Sequence, residues 1–134
     1  MHRGYIKLGA FIAALGVILG AFGAHFLKNY LSSEALATFH TGVNYQFYHS
    51  IALVLTGILL KRYPNNMIMW SGRLFMLGII FFSGSLYLLA LLEGFKGMDL
   101  GGFGILTPLG GLMFLGGWLA LAVGIPNSKP AGND

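Results

Sequence analysis

Hydrophobic residues form four long runs along the chain, and short polar segments separate these runs. A bilayer has a hydrocarbon core about 30 Å thick, which a helix of about 20 apolar residues can cross. Each run is long enough for this, and the predicted spans are approximately residues 5–25, 40–62, 68–92 and 105–125. The pattern therefore predicts an all-α fold, with one integral membrane domain over residues 1–134 built as a four-helix transmembrane bundle.

Small residues recur at helical spacing in the first and the last run. They are Gly9, Ala13, Gly16 and Gly20 in the first run, and Gly110, Gly117 and Gly124 in the last. Such a face lets a neighbouring helix approach closely. Basic residues precede the first run, as in a signal peptide, but the regular small face favours a retained helix. Both faces are predicted to serve helix packing, either within the chain or between subunits.

The second run begins after two serines that are suited to capping a helix. These are Ser32 and Ser33, and no helix breaker follows them before Pro64. A helix from Glu34 to Arg62 would be about 42 Å long. Since the hydrocarbon core is shorter than this, the first two turns are expected to protrude from it or to bend along the interface.

A polar stripe lies within this second helix. Its members advance by four, three, four, three and four positions: Thr38, Gly42, Tyr45, His49, Ala52 and Thr56. Gln46 lies beside the stripe. In contact with lipid, an amide, a phenol and an imidazole would have no hydrogen-bond partners, so the stripe is predicted to face the interior of the bundle.

The other spans carry polar groups at a similar depth in the membrane. His25 ends the first run, Ser83 and Tyr87 lie one turn apart in the third, and Thr107 opens the fourth. Most of these groups fall in the half of the bundle near His25, which is the predicted outer half. The sequence therefore predicts an outward-opening polar cluster. Its candidate ligand-binding residues are His25, Tyr45, Gln46, His49, Ser83, Tyr87 and Thr107.

The composition agrees with a membrane protein and excludes several other classes. Hydrophobic residues make up 56% of the chain and charged residues only 9%, against about 25% charged in an average soluble domain. There are 21 glycines, as is typical of packed membrane helices, and no cysteine, which excludes disulfides and thiolate chemistry. The net charge of +4 comes from basic residues at the ends of apolar runs, so it indicates membrane orientation and not nucleic-acid binding.

The basic residues are distributed unequally between the two sides of the membrane. Four spans place both termini on one side, which collects Arg3, Lys7, Lys61, Arg62, Arg73 and Lys129. The other side collects Lys28 and Lys96. By the positive-inside rule, both termini are predicted to lie in the cytoplasm, with the chain spanning the cell membrane several times.

Two interpretations of the polar stripe stay open at this point. His49, Gln46 and Tyr45 either join helices by hydrogen bonds, or form a site for a proton, an anion, a lipid headgroup or a metal. A zinc site from His25, His40 and His49 is weakly supported, because no carboxylate or cysteine joins them at a recognised spacing. No nucleophile, base and orienting group occur together, so no catalytic residue, metal or cofactor is predicted and an enzyme is not expected.

Several segments resemble those of a known family. They are the residues 20–25 (GAFGAH), 41–49 (TGVNYQFYH), 82–87 (FSGSLY) and 107–111 (TPLGG), the last leading to Gly117 and Trp118. In this order and spacing the chain resembles the domain of unknown function 423 family, with animal relatives in the transmembrane protein 256 family. The resemblance covers nearly the whole chain and implies a four-helix protein of the bacterial plasma membrane, with no assigned activity. It places the family's signature residues at His25, Tyr45, Gln46, His49, Ser83, Tyr87, Thr107 and Pro108.

Two functional hypotheses follow. In the first, a small membrane protein of unassigned biochemical role binds a small ligand, an ion or a lipid headgroup in the polar cluster. In the second, a structural or regulatory membrane protein acts through helix packing with itself or a partner. A channel is disfavoured because the inner half of the bundle is nearly all apolar. The expected partners are membrane lipid, a second copy in a homo-oligomer and an unidentified small molecule, but no nucleic acid.

Overall fold

Four helical spans make up the part of the chain that the structure describes. The structure is a computed structural model that describes residues 2–96 and 101–127. The helices are α1 (His2–His25), α2 (Ser33–Arg62), α3 (Asn66–Gly78), α4 (Gly84–Lys96) and α5 (Leu106–Gly124). A π-helical turn, Ile79–Ser83, joins α3 to α4, and 3-10 turns lie at Leu27–Asn29 and Gly101–Ile105. The spans long and apolar enough to cross a membrane are His2–Asn29, Ser33–Arg62, Asn66–Gly94 and Leu106–Gly124, which confirms the predicted all-α membrane fold. Lys129, which is counted among the basic residues of the predicted cytoplasmic side, lies outside the described residues.

Polar side chains cap two of the helices. The Ser32 hydroxyl accepts a hydrogen bond from the Ala35 amide at 3.1 Å, which confirms the predicted cap of α2. From this cap α2 runs without interruption for 30 residues, or about 45 Å. The Asn65 side chain caps α3 by accepting from the Ile68 amide at 3.0 Å. Its amide also donates to the Gly124 carbonyl at 2.7 Å, which ties the start of α3 to the end of α5.

The two ends of the described chain lie at the same end of the bundle. The Tyr5 hydroxyl near the start of α1 donates to the Met69 carbonyl in α3 at 2.9 Å. The bond between Asn65 and Gly124 brings the last turn of α5 to the same level. This end is called the Asn65 end below, and the opposite end is called the His25 end.

The second helix, α2, packs against α1, α3, α4 and the π-helical turn, and its His49 side chain reaches Phe114 and Trp118 of α5. Its buried residues include Gly42, His49, Ala52 and Thr56 from the predicted stripe. The buried surface is wider than this stripe, since Leu53, which does not belong to the stripe, is fully buried. Tyr45 differs from the prediction that the stripe faces the interior of the bundle, because 39% of its surface is exposed.

The small face of α1 packs against α2 of the same chain. A methyl group at Gly9 would lie 2.7 Å from the Ser50 carbonyl oxygen, and one at Gly16 would lie 3.5 Å from the Gln46 amide nitrogen. A methyl group at Gly20 would lie 3.4 Å from the Val43 side chain, and Ala13 is half-buried. In the structure this face therefore serves packing within the chain, and Gly9 and Gly16 are buried against α2.

The small face of α5 packs against the third span in the same way. A methyl group at Gly117 would lie 2.7 Å from the Phe75 ring, and one at Gly124 would lie 2.7 Å from the Ile68 side chain. Gly110 lies against the backbone of Phe82. Large apolar residues of the third span thus fill the spaces that glycines leave on α5. Since lipid chains are as apolar as these side chains, close van der Waals packing stabilises the contact in place of a hydrophobic driving force.

The π-helical turn in the third span was not predicted. A π turn contains one more residue than an α turn and changes the rotation of the helix beyond it. The hydrophobic run from 68 to 92 contains no proline, so it reads as one uninterrupted helix. The turn lies where Gly110 lets α5 approach the backbone of Phe82, a long-range contact with no local sequence signal.

Candidate functional site

A groove between α2 and α5 lies beside two of the predicted site residues, Tyr45 and His49. It encloses about 660 Å³, within the range of about 300–1,000 Å³ that is usual for ligand sites. Its lining is aromatic and aliphatic: Tyr45, His49, Phe82, Pro108, Gly111, Leu112, Phe114, Leu115 and Trp118. Leu112 and Leu115 are 64% and 61% exposed on the outer surface of the bundle. The groove therefore opens sideways, towards lipid, and its walls are mainly apolar, in contrast to the predicted outward-opening polar cluster.

His49 is built into the wall of the groove with both ring nitrogens engaged. Its Nδ1 lies 2.8 Å from the Tyr45 carbonyl oxygen, and its Nε2 accepts from the Trp118 indole N–H at 3.2 Å. Because a carbonyl only accepts and an indole N–H only donates, this pattern assigns the neutral imidazole with its proton on Nδ1. The ring also stacks on Phe114 with centroids 3.4 Å apart. A metal or an anion at His49 would first have to displace Trp118.

Tyr45 supplies a polar group at the rim of the groove. Its ring packs on Phe82 with centroids 4.5 Å apart, and it lies one helical turn nearer the His25 end than His49. Among the described residues its hydroxyl has no hydrogen-bond partner. The groove thus combines an apolar wall with one hydroxyl that is available to a ligand.

Gln46 lies on a different face of α2 and joins three helices. Its amide nitrogen donates to the Ile12 carbonyl in α1 at 2.9 Å, and its carbonyl oxygen accepts from the Tyr87 hydroxyl in α4 at 2.7 Å. Gln46 is only 3% exposed. Glycines give these groups their space, since a methyl group at Gly42 would lie 2.8 Å from the Tyr87 ring. This network is buried and satisfied within the protein.

Hydroxyl groups on the third and fourth spans form a separate pair. The Ser85 and Thr107 hydroxyl oxygens are 2.6 Å apart, and the Ser85 hydroxyl also donates to the Phe82 carbonyl at 2.9 Å. Ser83 lies in the π turn and is fully buried. Its hydroxyl is the one buried side-chain polar atom without a hydrogen-bond partner in the described part of the chain.

The histidines do not come together. His25 is exposed at the end of α1, and the His40 ring lies beside Gly23, since a methyl group at Gly23 would be 3.1 Å from it. His49 lies nine residues further along α2, or about 13 Å. Across residues 2–96 and 101–127, no three histidine, cysteine, aspartate or glutamate side chains are grouped as metal ligands would be. The weak zinc hypothesis therefore has no geometric support.

The predicted single cluster is thus divided. Tyr45 and His49 line the groove, Gln46 and Tyr87 form the buried network, Thr107 pairs with Ser85, and Ser83 and His25 stand apart. Sequence reasoning missed Phe114, Trp118 and Ser85 as partners of these residues. The spacing of four between Phe114 and Trp118, which places two aromatic rings on one face of α5, was a signal that could have found the groove.

Comparison with known proteins agrees with the fold. The model of a family described as "Protein of unknown function (DUF423)" matches residues 19–111. The UPF0382 membrane protein SH2409 of Staphylococcus haemolyticus is 41% identical over 119 residues, which cover 89% of this chain and 92% of that protein. The UPF0382 membrane protein YwdK of Bacillus subtilis is 38% identical over 120 residues, 89% of this chain and 93% of that protein.

A more distant relative is the UPF0382 inner membrane protein YgdD of Escherichia coli. It is 36% identical over 116 residues, which cover 87% of this chain and 84% of that protein. No solved structure matches the chain. The family match and these relatives establish that the chain belongs to the DUF423 family of small membrane proteins, whose biochemical role is unassigned.

Proposed function

We propose that this protein is a non-catalytic, lipid-binding protein of the cell membrane, and that the groove between α2 and α5 holds the apolar chain of a membrane lipid. The observation that carries this proposal is the lateral opening of an aromatic groove onto the lipid-facing surface, where Leu112 and Leu115 are exposed. A ligand that enters from the bilayer needs no aqueous path. An apolar chain would lie against the side chains of Phe82, Leu112 and Leu115.

The chemistry of the walls favours a lipid over an ion. None of the residues that line the groove carries a formal charge when His49 is neutral. Both nitrogens of His49 are already bonded, to Tyr45 and Trp118. The Tyr45 hydroxyl is available to donate to a polar group attached to the chain, such as an ester carbonyl. Such a group would lie towards the His25 end of the groove.

The alternative is a structural or regulatory protein that acts through helix packing. The observation in its favour is the Gln46 network, which links α1, α2 and α4 by two hydrogen bonds and needs no ligand. Interhelical bonds of this kind contribute about 0.6 kcal/mol each on average. In this alternative the groove is only an irregularity of the lipid-facing surface.

We also propose that the protein lies in the plasma membrane with both termini in the cytoplasm. The positive-inside rule supports this, since Arg3, Lys7, Lys61, Arg62 and Arg73 all lie towards the Asn65 end of the bundle. Lys28 and the end of α4 at Lys96 lie at the opposite end. The relative YgdD is named as an inner membrane protein, which agrees with this location.

Native mass spectrometry of the purified full-length protein tests lipid binding. Gly111 lines the groove, and a methyl group there would meet the Phe82 ring only at an ordinary 3.8 Å, so Gly111→Phe fills the groove without a backbone clash. Gly84→Phe is the matched control, since a methyl group at Gly84 would meet nothing within 4 Å. We expect the unchanged protein and the control to retain a single phospholipid in mild detergent, and Gly111→Phe to lose it. Equal retention by both variants would refute the proposal.

A further inference from the structure

The third span carries a cation on its lipid-facing surface, with no acidic partner in the described part of the chain. Arg73 is half-buried, and Trp70 and Leu77, one turn before and after it on the same face, are 50% and 40% exposed. The two acidic residues that the structure describes, Glu34 and Glu93, lie at the opposite, His25 end, near the start of α2 and the end of α4. The described residues therefore leave the charge of Arg73 without a counter-ion.

Two aromatic side chains hold the guanidinium group of Arg73. Its Cζ lies 4.7 Å from the centroid of the Trp70 ring. The Tyr5 hydroxyl of α1 lies beside the same guanidinium, and because it donates its proton to the Met69 carbonyl at 2.9 Å, it offers Arg73 only its lone pairs. Tyr5 is itself fixed, since its ring packs against Gly72. One hydroxyl and one ring face leave most of the five guanidinium N–H donors available to an anion.

The length of the third span gives the depth of this group. Asn66–Gly94 contains 29 residues, or about 43 Å of helix, so each end extends about 6 Å beyond a hydrocarbon core of about 30 Å. The Cα of Arg73 is about 10 Å from the start of the span, and therefore about 4 Å inside the edge of the hydrocarbon. Helical side chains tilt towards the N-terminus, which brings the guanidinium back over Trp70 to the level of the lipid headgroups.

We propose that Arg73, Trp70 and Tyr5 form a binding site for the phosphate of an anionic phospholipid, in the leaflet at the Asn65 end. The planar guanidinium matches two oxygens of one phosphate. A zwitterionic headgroup brings its own ammonium group, and no acidic residue described at this end is present to receive it. Further cations at the same end favour a net negative headgroup, and these are Arg3, Lys7, Lys61 and Arg62.

This site is separate from the groove between α2 and α5. None of its three residues lines that groove. It recognises a charged headgroup at the Asn65 end, whereas the groove is proposed to hold an apolar chain, with any attached polar group towards the His25 end. Failure of one proposal therefore leaves the other unchanged.

Quenching of tryptophan fluorescence by brominated lipids tests the site, because the chain has one tryptophan at each location, Trp70 and Trp118. Trp118→Phe leaves Trp70 as the reporter, and Trp70→Phe leaves Trp118. Each full-length variant is placed in vesicles in which phosphatidylglycerol progressively replaces brominated phosphatidylcholine, and the loss of quenching gives the relative binding constant. At Trp70 we expect about a fivefold preference for phosphatidylglycerol, equivalent to about 1 kcal/mol, and at Trp118 equal binding of both lipids. Equal binding at Trp70, or the same preference at both tryptophans, would overturn the proposal.

The role of Arg73 is tested by substitutions in the Trp118→Phe background. Arg73→Gln should bind the two lipids equally, while Arg73→Lys keeps the charge and should keep most of the preference. Arg62→Gln is the matched control, because it removes the same charge at the same end, from a side chain that lies 5.9 Å from the Tyr63 ring centroid. It should leave the preference unchanged. An equal loss in Arg62→Gln would indicate overall charge, and an equal loss in Arg73→Lys would indicate packing, and either result would overturn the proposal.

The source of the phosphate is tested by a change of buffer. The Trp70 measurement is repeated with inorganic phosphate in place of chloride at equal ionic strength. We expect the same preference for phosphatidylglycerol, because the site faces the bilayer. A preference that inorganic phosphate abolishes would show that Arg73 binds a free anion, and the lipid assignment would be wrong.

Discussion

Gly42 is the position where a single methyl group should do most harm to the buried network. A Cβ there would lie 2.8 and 3.1 Å from two carbons of the Tyr87 ring and 3.3 Å from the Ser83 carbonyl oxygen. Tyr87 cannot yield freely, because its hydroxyl donates to Gln46 at 2.7 Å and its ring packs on Phe39 with centroids 5.0 Å apart. Gly42→Ala should therefore displace Tyr87 and weaken the link between α2 and α4.

The size of the effect follows from a comparison of two glycines. Overpacking by one methyl group costs about 1–3 kcal/mol, while alanine gains up to about 1 kcal/mol over glycine in a helix. Gly84→Ala adds the same methyl group where nothing lies within 4 Å, so it carries the propensity gain alone. We therefore expect Gly42→Ala to be less stable than Gly84→Ala by about 1–3 kcal/mol, since the propensity terms cancel.

The assay is reversible unfolding in mixed micelles, followed by tryptophan fluorescence and circular dichroism. Tyr87→Phe completes the experiment, because it removes only the hydroxyl group. It should lower the free energy of unfolding by about 0.6 kcal/mol, and by no more than about 1.7 kcal/mol. If the methyl group acts by displacing that hydroxyl, the double variant will lose less than the sum of the single losses. Equal stability of Gly42→Ala and Gly84→Ala would refute the packing argument, and strict additivity would refute the link to the hydroxyl.

Two further predictions concern the Asn65 end and the orientation of the chain. Asn65→Ala removes the cap of α3 and the hydrogen bond to Gly124, so it should lower the free energy of unfolding by about 1–2 kcal/mol in the same assay. Asn66→Ala is the control, because Asn66 is exposed, and it should leave the free energy of unfolding unchanged. For orientation, Lys28→Cys should react with a membrane-impermeant maleimide added to intact cells, and Asn66→Cys should react only after the cells are opened. The reverse labelling pattern would place the termini outside.

The number and type of elements could be predicted from the sequence because they depend on local properties. Each span is a run of apolar residues long enough to cross hydrocarbon, where the backbone must satisfy its own hydrogen bonds. The cap at Ser32 and the small faces at Gly16 and Gly117 also depend on residues within a few turns of one another. Such features can be read without knowledge of which helix lies beside which.

The candidate site could be predicted only in part, because it depends on which helices are neighbours. Helical periodicity placed Tyr45 and His49 on one face of α2, and the structure does bring both to the same groove. It could not indicate that this face meets Phe114 and Trp118 of α5, which are more than sixty residues away in sequence. The sequence groups the polar residues only by their similar depth in the membrane. Depth does not specify the direction in which each side chain points around the bundle axis.

Tyr45 and Gln46 illustrate what the tertiary structure decided. Successive residues of an α-helix point about 100° apart, so these neighbours contact different helices. Tyr45 faces the groove with α5, and Gln46 bonds to α1 and α4. By itself the sequence determined that the protein crosses a membrane four times and which residues are polar within it. Only the packing of the four spans decided which of those residues are satisfied internally and which, like the Tyr45 hydroxyl, are not. The physical reason is that hydrogen bonding depends on neighbours that lie far apart in the chain.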